Sequence, residues 1–316
     1  MKKFVLAMII IVAVGALIAG VGCAVYFKGT SRLFTKDAEY AEKTFISSAS
    51  FNEIDMNLRS GHRLILQRGE DYSLTYSDSL LTTFSVAVQG GKLRINETAS
   101  SMKWWHRVMY KEQTTDIILT VPEETILSLR GTISGSLSAE LPDWEYGDFD
   151  LDISGSTELK AANITAKSIA ITASGSAKFG ARGTFQDISV RASGSADIEL
   201  SGVANSLSAK VSGSVELSCT QLTCPTITVD GSGSTDIELS GSGNKLTVHS
   251  SGSTEISAKD FALTVASVHS SGSCEIELNV SERLTVSVSG SADIKYWGNP
   301  IVENLGSNNA NIKKMD

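Results

Sequence analysis

The sequence predicts an all-β fold, a parallel β-helix with about 19–20 residues per rung, preceded by an N-terminal transmembrane helix. The first observation is a repeat. Nine Ser-Gly-Ser triplets recur at near-constant spacing between residues 134 and 291, with glycines at Gly135, Gly155, Gly175, Gly194, Gly213, Gly233, Gly252, Gly272 and Gly290. A fixed period of about 20 residues marks a solenoid, because a unit that short cannot bury its own apolar face and must stack on its neighbours. The second observation comes from aligning the repeats on their glycines. Four residues on stand Leu159, Phe179, Ile198, Leu217, Ile237, Ile256, Ile276 and Ile294, and four residues back stand Ile171, Val190, Ala209, Val229, Val248, Val268 and Val286. Charged and small residues alternate with these columns, the period-two signature of half-buried strands, so each rung carries at least two. The third is composition: 27 glycines against 4 prolines and only 7% aromatics suit a narrow lumen of Ile, Val, Leu and Ala.

The elements follow in chain order. Residues 1–27 form the anchor, with two lysines followed by 24 uncharged residues from Phe4 to Phe27, long enough to span a bilayer as a helix. Cleavage after Ala24 and lipidation at Cys23 are the alternative fates, and all three export the rest of the chain. Residues 28–44 read as a polar stalk. Residues 45–130 are β-rich but out of register with the repeat, with strand patterns such as His62–Leu66 and Asp116–Val121 and a hairpin signal at Gln89-Gly90-Gly91. This segment is expected to form the cap and first rungs, because the end of a solenoid exposes unpaired strand edges. Residues 131–316 hold the repeats. Glycine at the corner is expected to supply a backbone conformation unfavourable to other residues, and the serines to satisfy corner backbone groups. Tyr296-Trp297-Gly298-Asn299-Pro300 breaks the repeat before a last degenerate rung at Asn308–Ile312.

Charge divides the chain. Residues 1–130 hold 15 Lys+Arg and 13 Asp+Glu, whereas residues 131–316 hold 12 and 22, so the solenoid is acidic and nucleic acid is excluded as its partner. Asp197, Glu216, Asp236, Glu255, Glu275 and Asp293 occupy one exterior column, joined two rungs earlier by Glu158, with Lys178 between. An even ladder of carboxylates is tolerated as a solvated face, and weak divalent-cation binding is the functional reading. No lysine or arginine column is expected beside it. His249 and His269 share another exterior column with Asp230, which reads as exposed surface or as one edge of a metal site. Cys219 and Cys224 read as packed free thiols, with a disulfide as the alternative. The exception to the acidic picture is a basic aromatic cluster of Lys103, Trp104, Trp105, His106, Arg107, Tyr110 and Lys111. It reads as a loop folded over the open end of the solenoid or as a contact surface for a membrane, glycan or protein.

Phe51-Asn52-Glu53-Ile54, Leu93-Arg94-Ile95, Leu119-Thr120-Val121-Pro122 before the first triplet, and the Tyr296–Pro300 tail together resemble the bacterial adhesin families that include the auto-transporter adhesin head GIN domain. The resemblance covers most of residues 45–314. It implies a β-strand repeat fold and brings no catalytic residues. The chain departs from the family name in carrying a membrane anchor and no autotransporter barrel.

The expected function is therefore that of a non-enzymatic, single-pass bacterial membrane protein displaying a β-helix on the extracytoplasmic side. Its partner is an envelope or surface protein or glycan, with no cofactor and no catalytic metal. A sensory or regulatory envelope module, or an enzyme acting on polysaccharide, are the alternatives.

Overall fold

The structure is a computed structural model; it describes residues 36–37, 40–79, 81–99, 110–111, 113–305 and 310–316. The described residues form an all-β solenoid of about nine turns. Strands of successive rungs pair in parallel, and register is set by the repeat: Leu159 faces Phe179, Phe179 faces Ile198, and Ile237 faces Ile256. The two columns four residues either side of the glycines are buried throughout the rod, as the alternation requires. The transmembrane helix expected over residues 4–27 lies outside the described residues. Among the described residues, no helix is long and apolar enough to cross a membrane.

Each rung has three inward-facing runs. In one rung they are Thr157, Leu159 and Ala161, then Ile164 and Ala166, then Ile169, Ile171 and Ala173. Alternation slips twice between glycines, and each slip turns the chain through a corner. Inward positions on the two long sides fall at two and four residues before and after the glycine. The inner pair of these columns is small and partly polar, including Thr157, Thr235, Thr254, Ser250 and Ser270, and Ser250 Oγ donates to Thr254 Oγ1 at 2.6 Å inside the lumen.

The reason for glycine in the triplet differs from the one expected. Of the nine triplet glycines only Gly213 and Gly233 have positive φ, 118° and 112°. What the column shares is closeness. A Cβ on Gly194 would lie 2.3 Å from the carbonyl oxygen of Gly175, and one on Gly155 would lie 1.8 Å from that of Gly135. Each corner therefore rests directly on the one before it, leaving no room for any side chain. Serine before the glycine closes the corner: Ser154 N donates to Ile133 O and Ser174 N to Ile153 O, each at 2.8 Å. Both hydroxyls reach the same carbonyls at 3.5 Å.

The left-handed corner stands elsewhere, eight residues after six of the nine triplet glycines. Asn163, Gly183, Gly202, Gln221, Gly241 and Gly298 occupy it with φ of 56°, 155°, 116°, 53°, 127° and 93°. Register shifts concentrate at this corner, between Ala161 and Ile164, Cys219 and Leu222, and Ala258 and Ala262. It is where rungs of 18 to 20 residues absorb their differences in length.

The N-terminal segment both starts and seals the rod. Strands Leu127–Ile133 and Ser136–Leu141 stack on Glu53–Leu58 and Gly61–Arg68, which stack in turn on Lys92–Ala99 and Thr115–Val121. The outermost rung is therefore later in sequence than the rung beneath it. Its exposed edges are covered by antiparallel strands: Thr82–Gln89 on Lys92–Ala99, and Tyr72–Ser79 on Thr115–Val121. The expected hairpin is present, with φ of 61° and 74° at Gly90 and Gly91, the two-residue turn whose twist matches its strands. Tyr40–Ser47 pairs antiparallel with Tyr72–Ser79, so the stalk expected over 28–44 ends sooner, and its last five residues belong to the cap.

Crowding rather than strain at the triplet has a measurable consequence. Gly194→Ala is expected to destabilise the protein by about 3 kcal/mol or more, because backbone on both sides cannot give way. Gly180→Ala, with nothing within 4 Å of the added methyl, is expected to leave stability within about 0.5 kcal/mol. Chemical denaturation of the two variants checks the difference; equal effects contradict the stacked corner.

Candidate functional site

Two grooves run along the rod, one on each side of the serine corner. The larger, of about 1340 Å³, extends from His62 and Thr114 to Asp293 and Asn311. Its walls repeat rung after rung: the serine after each glycine, such as Ser214, Ser234 and Ser253, and the acidic column two residues further on. The smaller, of about 830 Å³, follows the other flank past Asp230, His249 and His269 to Leu305. Strand geometry dictates this layout, because alternate side chains point outward and equivalent ones align at about 4.8 Å per rung.

The structure brings the expected acidic ladder together within the larger groove. Single lysines, not a column of them, stand in it at two points. Lys178 occupies the ladder itself, bonding Asp197 Oδ2 at 2.7 Å and Glu199 Oε1 at 3.4 Å. Lys295 bonds Glu275 at 2.7 Å and Glu277 at 3.3 Å near the other end. The carboxylates facing Lys178, Asp197 foremost, hold its ammonium above the ordinary lysine value, and Glu275 does the same for Lys295. Glu216, Asp236 and Glu255 lie between these two points and, among the described residues, meet no cation. Such exposed pairs contribute little to stability and mainly set the sign of the surface. Among the described residues, no three His, Cys, Asp or Glu side chains converge as a metal site.

The other expected residues are placed as follows. His249 and His269 stack face to face, ring centres 5.0 Å apart and planes 12° apart, and Asp230 of their column is bonded to Lys210 at 3.6 Å. Cys219, Cys224 and Cys274 are free and buried. Burial pushes the Cys219 thiol up to about 12, so it packs as a small apolar group. Cys224 lies in the interior and donates to Thr226 O at 3.3 Å. Of the basic aromatic cluster, Lys103, Trp104, Trp105, His106 and Arg107 lie outside the described residues. Tyr110–Lys111 pairs in parallel with Lys36–Asp37.

One polar site was not foreseen. Glu97 and His62 are both fully buried at the end of the larger groove. Glu97 Oε2 accepts from Arg59 N at 2.6 Å, Ser60 N at 3.0 Å and His62 Nε2 at 3.1 Å, while His62 Nδ1 meets Thr115 Oγ1 at 2.9 Å. Arg59–Ser60 is the first corner of the column, directly beneath Gly135. At later corners the N–H equivalent to that of Arg59, such as Ser134 N and Ser154 N, donates to the preceding rung, and here the carboxylate takes that place. Burial opposes its charge, but the bonds from His62, Ser60 and Arg59 prevail and hold it at about 2, below the usual carboxylate value. Strand parity carried the signal: Leu93, Ile95 and Glu97 alternate on one face, as do His62, Leu64 and Leu66.

This architecture, a capped solenoid with uniform grooves instead of a single converging pocket, defines a class of repeat proteins that present long surfaces. Comparison with known families is specific. The family described as "Putative auto-transporter adhesin, head GIN domain" matches residues 50–230 and 203–300, and the chain belongs to it. Solved structures that resemble it include a "putative adhesin" from Parabacteroides merdae, at 13% identity, TM-score 0.40, covering 90% of this chain and 98% of that one. Another "putative adhesin", from Bacteroides fragilis, shows 17% identity and TM-score 0.32, covering 88% and 97%. A "putative lipid binding protein" from Parabacteroides distasonis shows 18% identity and TM-score 0.39, covering 90% and 98%. No curated protein matches the chain.

The Glu97 bonds predict acid behaviour. A carboxyl whose folded value lies below its unfolded value stabilises fully above the unfolded value and loses that contribution as pH falls through the folded one. The window here runs from about 4.5 down to about 2, and the contribution is on the order of 3 kcal/mol. Glu97→Gln is expected to destabilise the protein at pH 7 by a similar amount and to flatten the stability profile between pH 4.5 and 2. Denaturation midpoints measured across that range check it.

Proposed function

We propose that this chain is a non-enzymatic adhesin, anchored in a bacterial membrane by residues 4–27, whose rod stands outside the cytoplasm and holds an envelope or surface protein or glycan along the larger groove. Family membership supports adhesion and a surface location. The observation that carries the reading is the uniformity of the groove. Serine hydroxyls recur at every rung along its length and carboxylates at most of them, a chemistry suited to many weak parallel contacts with an extended ligand. Catalysis asks for a different arrangement, in which a nucleophile, a base and a stabilising group converge on one reacting atom.

The test is adhesion of cells displaying the full chain to immobilised envelope and host-matrix glycans and proteins. Ser214→Tyr, Ser234→Tyr and Ser253→Tyr, introduced together, fill the groove with outward side chains and leave the lumen unchanged. Binding is expected to fall at least tenfold with thermal stability nearly unchanged. Full binding by the triple variant contradicts a groove-bound ligand.

A further inference from the structure

Of the chain's four histidines, two stand side by side. His249 and His269 are register partners on adjacent rungs, and both line the smaller groove. Strand parity turns them outward, because the residues on either side of each, Val248 with Ser250 and Val268 with Ser270, are buried in the lumen. His249 is exposed and His269 half-buried, so core packing holds neither ring. The rest of their column places Asp230 one rung before His249, bonded to Lys210 at 3.6 Å, and Ser287 one rung after His269. Ser267 Oγ lies 3.2 Å from His269 Nε2.

We propose that this pair chelates a borderline divalent transition ion, Zn²⁺, Ni²⁺ or Cu²⁺, on the flank of the rod across the serine corner from the groove assigned to the adhesin's ligand. Imidazole nitrogens hold such ions at about 2.0–2.1 Å, so two rings sharing one tetrahedral ion have their centres on the order of 5 Å apart. The centres of His249 and His269 are 5.0 Å apart, a separation that the strand spacing fixes. Their planes lie 12° from parallel, and turning each ring about its Cβ–Cγ bond, a soft torsion, aims both lone pairs at one point. Ser267 selects the tautomer. With Nε2–H donated to its hydroxyl, His269 keeps on Nδ1 the lone pair that a metal takes, as a hydrogen bond at the far nitrogen does for metal-bound imidazoles. Asp230 adds negative charge beside the ion without ligating it, and water completes the coordination, in keeping with the lack of three converging donors among the described residues. Nitrogen donors favour Zn²⁺, Ni²⁺ and Cu²⁺, whereas Ca²⁺ and Mg²⁺ take oxygen. His62 does not compete, since both its nitrogens are engaged, by Thr115 and Glu97. The ion joins two rungs only when they are stacked, so it stabilises the folded rod by mass action.

The test is calorimetric titration of the detergent-solubilised full chain with Zn²⁺ at neutral pH, where exposed imidazoles are largely uncharged. It carries Cys23→Ala, so that the remaining thiols are the buried ones. Zn²⁺ is expected to bind stoichiometrically, to resist displacement by Ca²⁺, and to raise the unfolding midpoint by about 2 °C or more. His249→Gln and His269→Gln are each expected to weaken binding by about tenfold or more, with the metal-free midpoint unchanged because both side chains point outward. His249→Ser combined with Ser287→His moves the pair one rung along its column and is expected to restore binding. A chain that binds no Zn²⁺, binding that survives loss of both histidines or yields to Ca²⁺, or binding that fails to follow the transplanted pair overturns the proposal.

Discussion

The contact on which the rest of the structure depends is backbone against backbone at the serine corner. Each triplet glycine sits so close to the carbonyl of the preceding one that a single methyl group would overlap it. That approach brings neighbouring rungs into register, and register in turn fixes which side chains face the lumen. Once the corners coincide, Leu159, Phe179 and Ile198 stack because their distance from the glycine is the same. Apolar burial along the continuous columns supplies the driving force, and the corner supplies the alignment.

A corner that tight creates a problem at its first member, where polar backbone groups must be satisfied without the full stack beneath. Glu97 resolves it by placing a carboxylate under Arg59 and Ser60, with His62 on its other flank. A buried charge is costly unless well bonded, and this one has three donors. The same logic governs the strand edges, and antiparallel strands seal the start of the rod.

Much of the fold was legible because a repeated steric constraint leaves a repeated residue. Gly194 and Gly213 are recognisable from spacing alone, and the Ile and Val columns follow by counting. The second corner was hidden, since its positive-φ position is taken by Asn163, Gly183 and Gln221 in turn, and length variation collects there. The inverted order of the first rungs was also hidden, because no local pattern says that Lys92–Ala99 stacks outside Glu53–Leu58. Of the candidate site, the carboxylate ladder could be read from its period, interrupted only at Lys178, but the bonds that Lys178 and Lys295 make to its carboxylates depend on side-chain geometry that the period does not carry. Glu97 and His62 obeyed strand parity, which placed them inside, yet their partners come from strands far apart in sequence.

The central claim is that residues one period apart lie one rung apart along a straight stack. Distances between spin labels at Ser176 and, in turn, Ser214, Ser253 and Ser291 test it directly, since these serines lie two, four and six rungs away on one exposed column. Stacking at about 4.8 Å per rung predicts backbone separations near 10, 19 and 29 Å, rising in proportion to rung number. Separations that plateau or reverse along the series would contradict the stacked corner and the register derived from it.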